Sequence, residues 1–324
     1  MNADLVDILC CPRCGGAVAL SAESLSRATS QVEQGELGCR VCKSAFPIVG
    51  GIARFVSREL YAASFGHQWN RFEVQAPEED AEVFRTKTGV DPQSLAGLRV
   101  LDGGCGSGRY SAVAARAGAR VVAVDLSRAV EKAAAVCGGM AHVDVLQADL
   151  LALPLVPESF DFAFSLGVLH HSPDARRAFG ELARRVRPGG RLAVWLYRRN
   201  TAAQEAVNQV LRGMTTRMSV GQLETVSQVG AVLGGVPMVK WTLNKVVNFS
   251  NHPQWEVRLC DTFDWYSPRY QSHHTSGELR GWFEEEGFAE VRELEPAKTG
   301  GVYRWAYEHD LIIGSGVNFV GKKR

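Results

Sequence analysis

The chain has almost no surplus of charge of either sign. Across 324 residues, 36 Lys and Arg stand against 35 Asp and Glu, a formal net charge of +1. That balance removes the electrostatic case for wholesale binding to nucleic acid or a membrane surface. Long apolar runs are also lacking. The most apolar late stretch, VGAVLGGVPMVKWTLNKVV, is broken by Pro237, Lys240 and Lys245 and makes a poor membrane span. The opening residues, MNADLVDILC, have no basic segment leading into a long apolar core. No signal peptide is expected, and a cytoplasmic location is. There is no internal repeat and no low-complexity tract. What remains, 46% hydrophobic and 22% charged, is ordinary globular composition.

Cysteine, by contrast, is well supplied, with 8 residues. Four form two knuckles, Cys11-Pro-Arg-Cys14 and Cys39-Arg-Val-Cys42. A CxxC turn presents two thiolates together, and two such turns complete the tetrahedron that a structural Zn2+ requires. In an intracellular chain such pairs mean metal more often than disulfide. Cys10 adjoins the first knuckle and could replace Cys11, although the CPxC register favours Cys11. Four thiolates leave no coordination position open, so the zinc is expected to be structural, not catalytic. Zinc binding contributes about 10–16 kcal/mol to the folding of such small modules, whose cores are thin.

Three regions separate by pattern. Residues 1–56 hold the cysteine pairs and read as a zinc ribbon. Residues 57–94, running through SFGHQWNRF, read as a linker packing on the next domain. From residue 95 to 324, short β-rich runs alternate with helical stretches. LRVLDGG, ARVVAVDLS, VDVLQADL, FDFAFSLG and RLAVWLY read as strands. YSAVAARAG, RAVEKAAAVCG and DARRAFGELARRVRPGG read as the helices between them. This alternation implies a parallel, open α/β sheet with right-handed crossovers. Gly118 and Pro188-Gly189-Gly190 read as helix stops. The alternation pauses over about 198–272, and an insertion of that length in an α/β domain is expected to be a helical lid.

The glycine cluster LDGGCGSGRY follows the first strand. The dinucleotide pattern G-x-G-x-x-G fails here, since from Gly104 and Gly106 the third position is Arg109. The register that fits is Asp102-x-Gly104-x-Gly106-x-Gly108. A carboxylate at Asp102 would repel a pyrophosphate but suit a cationic ligand. Asp125, ending the second strand, suits bidentate hydrogen bonding to ribose hydroxyls. Asp149 ends the third and could accept from an adenine amino group. Three acidic strand ends on one sheet edge therefore point to a cationic nucleoside.

Taken in order, VLDGGCGSGRY, VVAVDLS, QADLLALPLVPESFD, SLGVLHHSPD and RRVRPGGRLAVW resemble the motifs of class I S-adenosylmethionine-dependent methyltransferases, of the type 11-like group. The start of the chain, its second knuckle and AFPIVGGIARF resemble the Trm112-like zinc ribbons. The first resemblance implies a seven-stranded Rossmann-like sheet binding the donor at its carboxyl edge. It implies that Asp102, Gly104, Gly106 and Gly108 line the methionine moiety, Asp125 the ribose, and Asp149 with Leu150 the adenine. Leu126 and Ser165 complete the implied donor site. The second resemblance implies a scaffold or a surface for a protein partner.

Methyl transfer from a sulfonium is an in-line displacement, so positioning supplies most of the acceleration. A base is needed only for an acceptor that must lose a proton. His170 and His171, after the fourth strand, are the candidates, and each could equally cap the next helix or pack under the sheet. His273 and His274 are weaker candidates. SLGV stands where an NPPY-type segment would indicate amide or adenine N-methylation, and no Pro-Cys pair stands there for pyrimidine C5 chemistry. The insertion carries Trp241, Phe249, Trp255, Phe263, Trp265, Tyr266 and Tyr270. Such a lid suits a hydrophobic or aromatic small molecule, although any one ring could simply cement lid to sheet. Two other readings stand beside this one: an RNA methyltransferase using the arginine-rich DARRAFGELARRVRPGGR, and a non-enzymatic scaffold.

Overall fold

The structure, a computed structural model, describes residues 1–25, 31–56, 77–236, 239, 243, 246–250, 252, 254–294 and 316–324. SFGHQWNRF and Trp241 lie outside these residues, as does most of PMVKWTLNKVVNF. Four short antiparallel strands come first: β1 (Val18–Leu25), β2 (Val32–Cys39), β3 (Ala45–Val49) and β4 (Ile52–Arg54). Helix α1 (Pro77–Thr88) follows and packs Phe84, fully buried, against Phe162, Phe164 and Tyr110.

The alternating region then unfolds as expected from its pattern: β5 (Arg99–Gly103), α2 (Arg109–Arg116), β6 (Arg120–Asp125), α3 (Ala129–Val136), β7 (Val143–Gln147), β8 (Phe160–Leu166), α4 (Ala175–Arg185) and β9 (Val186–Tyr197). Strands β5 to β9 run parallel. Their apolar runs are buried on both faces, as a sheet covered by helices on both sides requires. Val100, Val121, Ala123 and Val145 belong to one core cluster, while Leu101, Val122, Val124 and Leu146 belong to the other. Neighbours in sequence thus fall on opposite sides of the sheet, the period of two that a strand imposes.

Pro188-Gly189-Gly190 does not stop the helix. Helix α4 ends at Arg185, and the turn residues instead form an irregularity inside β9, between the pairs Phe160–Val186 and Phe162–Arg191. Proline and glycine suit such a bulge as well as a helix end.

The insertion carries α5 (Ala202–Thr215), α6 (Val220–Gly235) and α7 (Trp255–Tyr266). Helix α6 starts at a capping box, Ser219 with Gln222. Helix α8 (Ser276–Glu285), β10 (Phe288–Glu293) and β11 (Gly316–Lys323) close the chain, with β11 antiparallel between β9 and β10.

Among the described residues, the expected seven-stranded sheet is corrected to eleven strands, in the order β1-β2-β3-β4-β7-β6-β5-β8-β9-β11-β10. The seven are present as β5 to β11, and the cysteine-bearing strands extend them. Strand β4 runs parallel to β7, pairing Ala53 with Leu146 and Arg54 with Gln147. Without it, β7 would leave a row of unpaired backbone groups at the sheet edge. The seam is reinforced by Phe55 N–H donating to Gln147 O at 2.8 Å and by Asn2 N–H donating to Asp144 at 2.6 Å. Among the described residues, no helix is long and apolar enough to cross a membrane.

Candidate active site

Strand β5 ends where the chain must turn sharply into α2. Gly104, Gly106 and Gly108 take left-handed φ values of +90°, +50° and +80°, a region that favours glycine. Gly104 and Cys105 donate their N–H groups to Val124 O, tying the loop to β6. A Cβ on Gly104 would lie 2.3 Å from Cγ1 of Val168. Gly104→Ala is therefore expected to cost roughly 1–3 kcal/mol of stability, from backbone strain and this overlap. Urea unfolding of the variant measures it; unchanged stability would contradict the placement of the loop.

The loop opens on a cleft of about 610 Å3 above the carboxyl ends of β5, β6, β8 and β9. Helix α1 forms one wall with Asp80, Val83 and Lys87, and α7 forms another with Trp255, Cys260, Asp261 and Asp264. Gly104, Gly106, Asp125, Leu126, Leu150 and His171 all line it. Asp125 is held by three donors: Gly106 N–H at 2.9 Å on one oxygen, and Ser127 N–H and Oγ, each at 2.8 Å, on the other. Burial pushes its pKa above the ordinary value, and the three hydrogen bonds oppose that shift. Oδ1 already accepts two hydrogen bonds, and Oδ2, with Gly106 N–H as its one donor here, keeps a lone pair for a further donor.

Asp102, Gly108, Asp149, Ser165 and His170 lie off the cleft lining. Asp102 is 2% exposed and accepts from Ser111 Oγ at 2.6 Å, beneath the loop. Burial pushes its carboxyl up to about 7, against the pull of Ser111, and Asp125 adds to the rise. Gly108 caps α2 under Ala133. Asp149 caps the short turn Leu150–Ala152 by accepting from Leu151 N–H at 2.9 Å. Ser165 Oγ donates to Gly103 O at 2.7 Å. His170 is fully buried, stacked at 3.9 Å on Tyr197, and accepts the Tyr197 N–H on Nδ1 at 3.4 Å. Burial holds its pKa well below the usual range, so it stays neutral and packs under the sheet.

Asp102 gives a pH signature. A carboxyl raised from 3.8 to about 7 on folding binds its proton more tightly in the native state. Its contribution is full below pH about 4 and is lost as pH rises through about 7. Asp102→Asn, which keeps an acceptor for Ser111, is expected to raise the melting temperature at pH 8 and to leave it nearly unchanged at pH 4. An equal shift at both pH values would contradict the burial of the ionised group.

At the far end of the cleft, His171 Nδ1–H donates to Tyr270 O at 3.2 Å, which fixes the ring's orientation. Its Nε2 lies 3.5 Å from Asp264 Oδ2, and Tyr197 OH donates to the same oxygen. Burial and the neighbouring Asp264 hold the Tyr197 phenol well above its ordinary pKa, so it remains a donor. Tyr197 could have been placed from the sequence because it ends the RLAVWLY strand. Asp264 sits one helical turn from Asp261 within DTFDWY, a spacing that a helical reading of that segment would have brought to one face.

The aromatic residues of the insertion divide. Phe249, Phe263 and Tyr266 are buried, and Phe263 and Tyr266 pack with Leu223, Ala231 and Leu259. Trp265 stacks on Tyr197 at 4.6 Å, and Trp255 alone of the described set lines the cleft. Neither His273 nor His274 reaches it: His273 Nδ1 pairs with Glu205 at 2.7 Å, and His274 packs on Trp282 and faces Glu278 at 3.3 Å. The arginine-rich helix is likewise absorbed into structure, with Arg176 pairing with Glu285 and Glu286, and Arg185 with Glu181.

Away from the cleft, the sulfur atoms of Cys11, Cys14, Cys39 and Cys42 all lie within 4.8 Å of one another. Cys11–Cys42 and Cys14–Cys39 are separated by 3.6 and 3.5 Å. A tetrahedron with metal–sulfur bonds of about 2.3 Å has edges of about 3.8 Å, so the four thiols fit one Zn2+. Cys11 occupies the corner, and Cys10 instead ties its N–H to Pro154 O at 3.0 Å.

Residues 101–194 match the model of a methyltransferase domain, and residues 2–51 that of the Trm112p-like proteins. The two matches support a class I S-adenosylmethionine-dependent methyltransferase domain with an N-terminal Trm112-like region. It is 33% identical over 138 residues to a ubiquinone biosynthesis O-methyltransferase of Pseudomonas entomophila, covering 42% of this chain and 60% of that one. It is 35% identical over 138 residues to a malonyl-[acyl-carrier protein] O-methyltransferase of Salmonella typhimurium, covering 43% and 53%. The chain spans between 46% and 66% of the length of the ubiquinone-pathway relatives it matches. Among solved structures, a complex of the Haloferax volcanii Trm112 methyltransferase activator aligns at TM-score 0.45 and 16% identity, over 80% of this chain and 96% of that one.

Proposed function

We propose that this methyltransferase moves the methyl group of S-adenosylmethionine to a small organic acceptor bound in the cleft. The observation that carries the reading is the joining, in one cavity, of the glycine loop and Asp125 with an enclosed far end at His171, Tyr197 and Asp264. The residues fit such a donor. Gly104 and Gly106 let a ligand approach the backbone, Asp125 keeps acceptor capacity on Oδ2 for a ribose hydroxyl, and Leu126 with Leu150 offers apolar walls for a purine. The bound donor supplies an activated methyl on a sulfonium.

The chain's own residues then position and, where needed, deprotonate. With Nδ1–H fixed on Tyr270 O, His171 keeps its acceptor lone pair on Nε2 at the buried wall of the cleft, and it is the base for an acceptor that must lose a hydroxyl or phenol proton. Asp264 Oδ2 lies 3.5 Å from that nitrogen. Asp102, Asp149 and Ser165 serve the donor indirectly, by holding the strand ends and turns that carry the lining residues. Residues 1–56 are the scaffold, with zinc as its structural ion and an exposed surface open to a protein partner. Residues 57–94 give one wall through α1, and 95–324 form the catalytic domain with 198–272 as lid. A small-molecule acceptor is favoured over RNA because the overall charge is balanced and Arg176, Arg185 and Arg187 of the arginine-rich segment pair with acidic side chains. The relatives' names mention different acceptors, so likeness alone does not choose one. Transfer of tritiated methyl from the donor into a metabolite extract, but not into total RNA, is the expected result; label in RNA alone would reverse the choice.

A further inference from the structure

We infer that Lys87 anchors an anionic oxygen of the methyl acceptor, a carboxylate or an ionised phenol; this rests on the methyl-transfer reading of the cleft. Lys87 projects from α1 into the cavity, with Nζ 3.8 Å from the centre of the Trp195 ring. That ring is fixed in place: a Cβ on Gly167 would come within 3.0 Å of it, and one on Gly316 within 1.9 Å. The indole offers the ammonium a π face but no charge.

No carboxylate among the described residues lies within ion-pair distance of Nζ. The acidic groups nearby hold other partners: Asp80 faces Arg109 at 3.4 Å, Asp261 accepts from Ser250 Oγ at 2.9 Å, and Asp264 meets His171 and Tyr197. Desolvation first, and Arg109 second, lower the Lys87 pKa to about 8, while Asp261 partly restores it. A desolvated cation that Asp261 offsets only in part is costly, and an anionic ligand in direct contact lowers that cost.

The location separates this group from the donor's own carboxylate. Trp195 pairs with Leu166 across β9 and β8, on the side of the cleft that holds His171 and Tyr197. The donor loop and Asp125 follow β5 and β6, and Arg109 begins α2 directly after that loop. Arg109 is thus the cation that directly follows the donor loop, and Lys87, on Trp195, is the one at the end of the cleft we assign to the acceptor.

Benzoate and its neutral isostere benzamide are suitable probes, titrated calorimetrically into the full chain saturated with S-adenosylhomocysteine. Benzoate is expected to bind about ten-fold or more tighter than benzamide, one charge-assisted contact's worth. Lys87→Met is expected to erase that preference, and Lys87→Arg to retain most of it. Equal binding of the two probes, no benzoate binding, or a preference that survives Lys87→Met would overturn the inference. So would a Lys87→Met variant that loses S-adenosylhomocysteine affinity while binding methylthioadenosine, which lacks the carboxylate, as well as the parent does. If the parent chain binds no S-adenosylhomocysteine, the methyl-transfer reading itself fails and the inference falls with it.

Discussion

Removing metal from the Cys11–Cys14–Cys39–Cys42 cluster is expected to lower the melting temperature of the whole chain, by about 10 °C or more, not merely to loosen its first 56 residues. Strands β1 to β4 have little core of their own, yet their apolar residues are continuous with the parallel sheet. Leu37, Phe46 and Ile48 belong to the same buried cluster as Leu146, Leu155 and Phe160. Hydrogen bonds cross the seam at Cys10, Asn2, Phe55 and Val156, and Arg54 bridges Gln147 and Glu131. Gln147 in turn donates to Leu126 O at 3.1 Å, beside the proposed nucleoside site. Loss of the ion therefore exposes the β7 edge and loosens the turn after Asp125. Differential scanning calorimetry with and without a strong chelator, alongside metal analysis, measures the effect. Protein carrying less than about one zinc per chain as purified, or one whose main transition ignores the chelator, would contradict it.

The second large effect is expected at Asp125. Its carboxylate holds Gly106 and the Ser127 turn and faces the cleft, so Asp125→Ala removes a ligand contact and the brace of the glycine loop together. Donor affinity should fall by about 1–3 kcal/mol, roughly 5- to 150-fold. Asp125→Asn keeps two polar atoms but one fewer acceptor, and should fall between the parent and the alanine variant. Unchanged affinity in Asp125→Ala would remove the ribose assignment.

Much of this architecture was legible in the sequence, because strand ends and glycines carry local signals. The alternation after Leu95 announced β5 to β9, and the aspartate ending β6 lines the cleft. The cysteine spacing announced the cluster, down to the choice of Cys11 over Cys10. What escaped depends on contacts between distant segments. The joining of β4 to β7 comes from two strand edges meeting, and periodicity carries no information about which edges meet. Asp102 reads as an exposed acid on the loop, but the turn into α2 folds Ser111 over it. His170 and His171 are indistinguishable as neighbours in sequence. The short turn after β8 sends one under Tyr197 and the other into the cleft. Lys87 gave no signal at all, since an isolated lysine on a polar helix reads as a solvated face.

The central claim is that the loop and Asp125 form a donor site, and one titration tests it most directly. S-adenosylmethionine titrated calorimetrically into the metal-loaded full chain should bind at one site per chain, and the Asp125→Ala chain should bind it more weakly. Absence of binding by the intact, folded parent chain at millimolar donor would contradict the account.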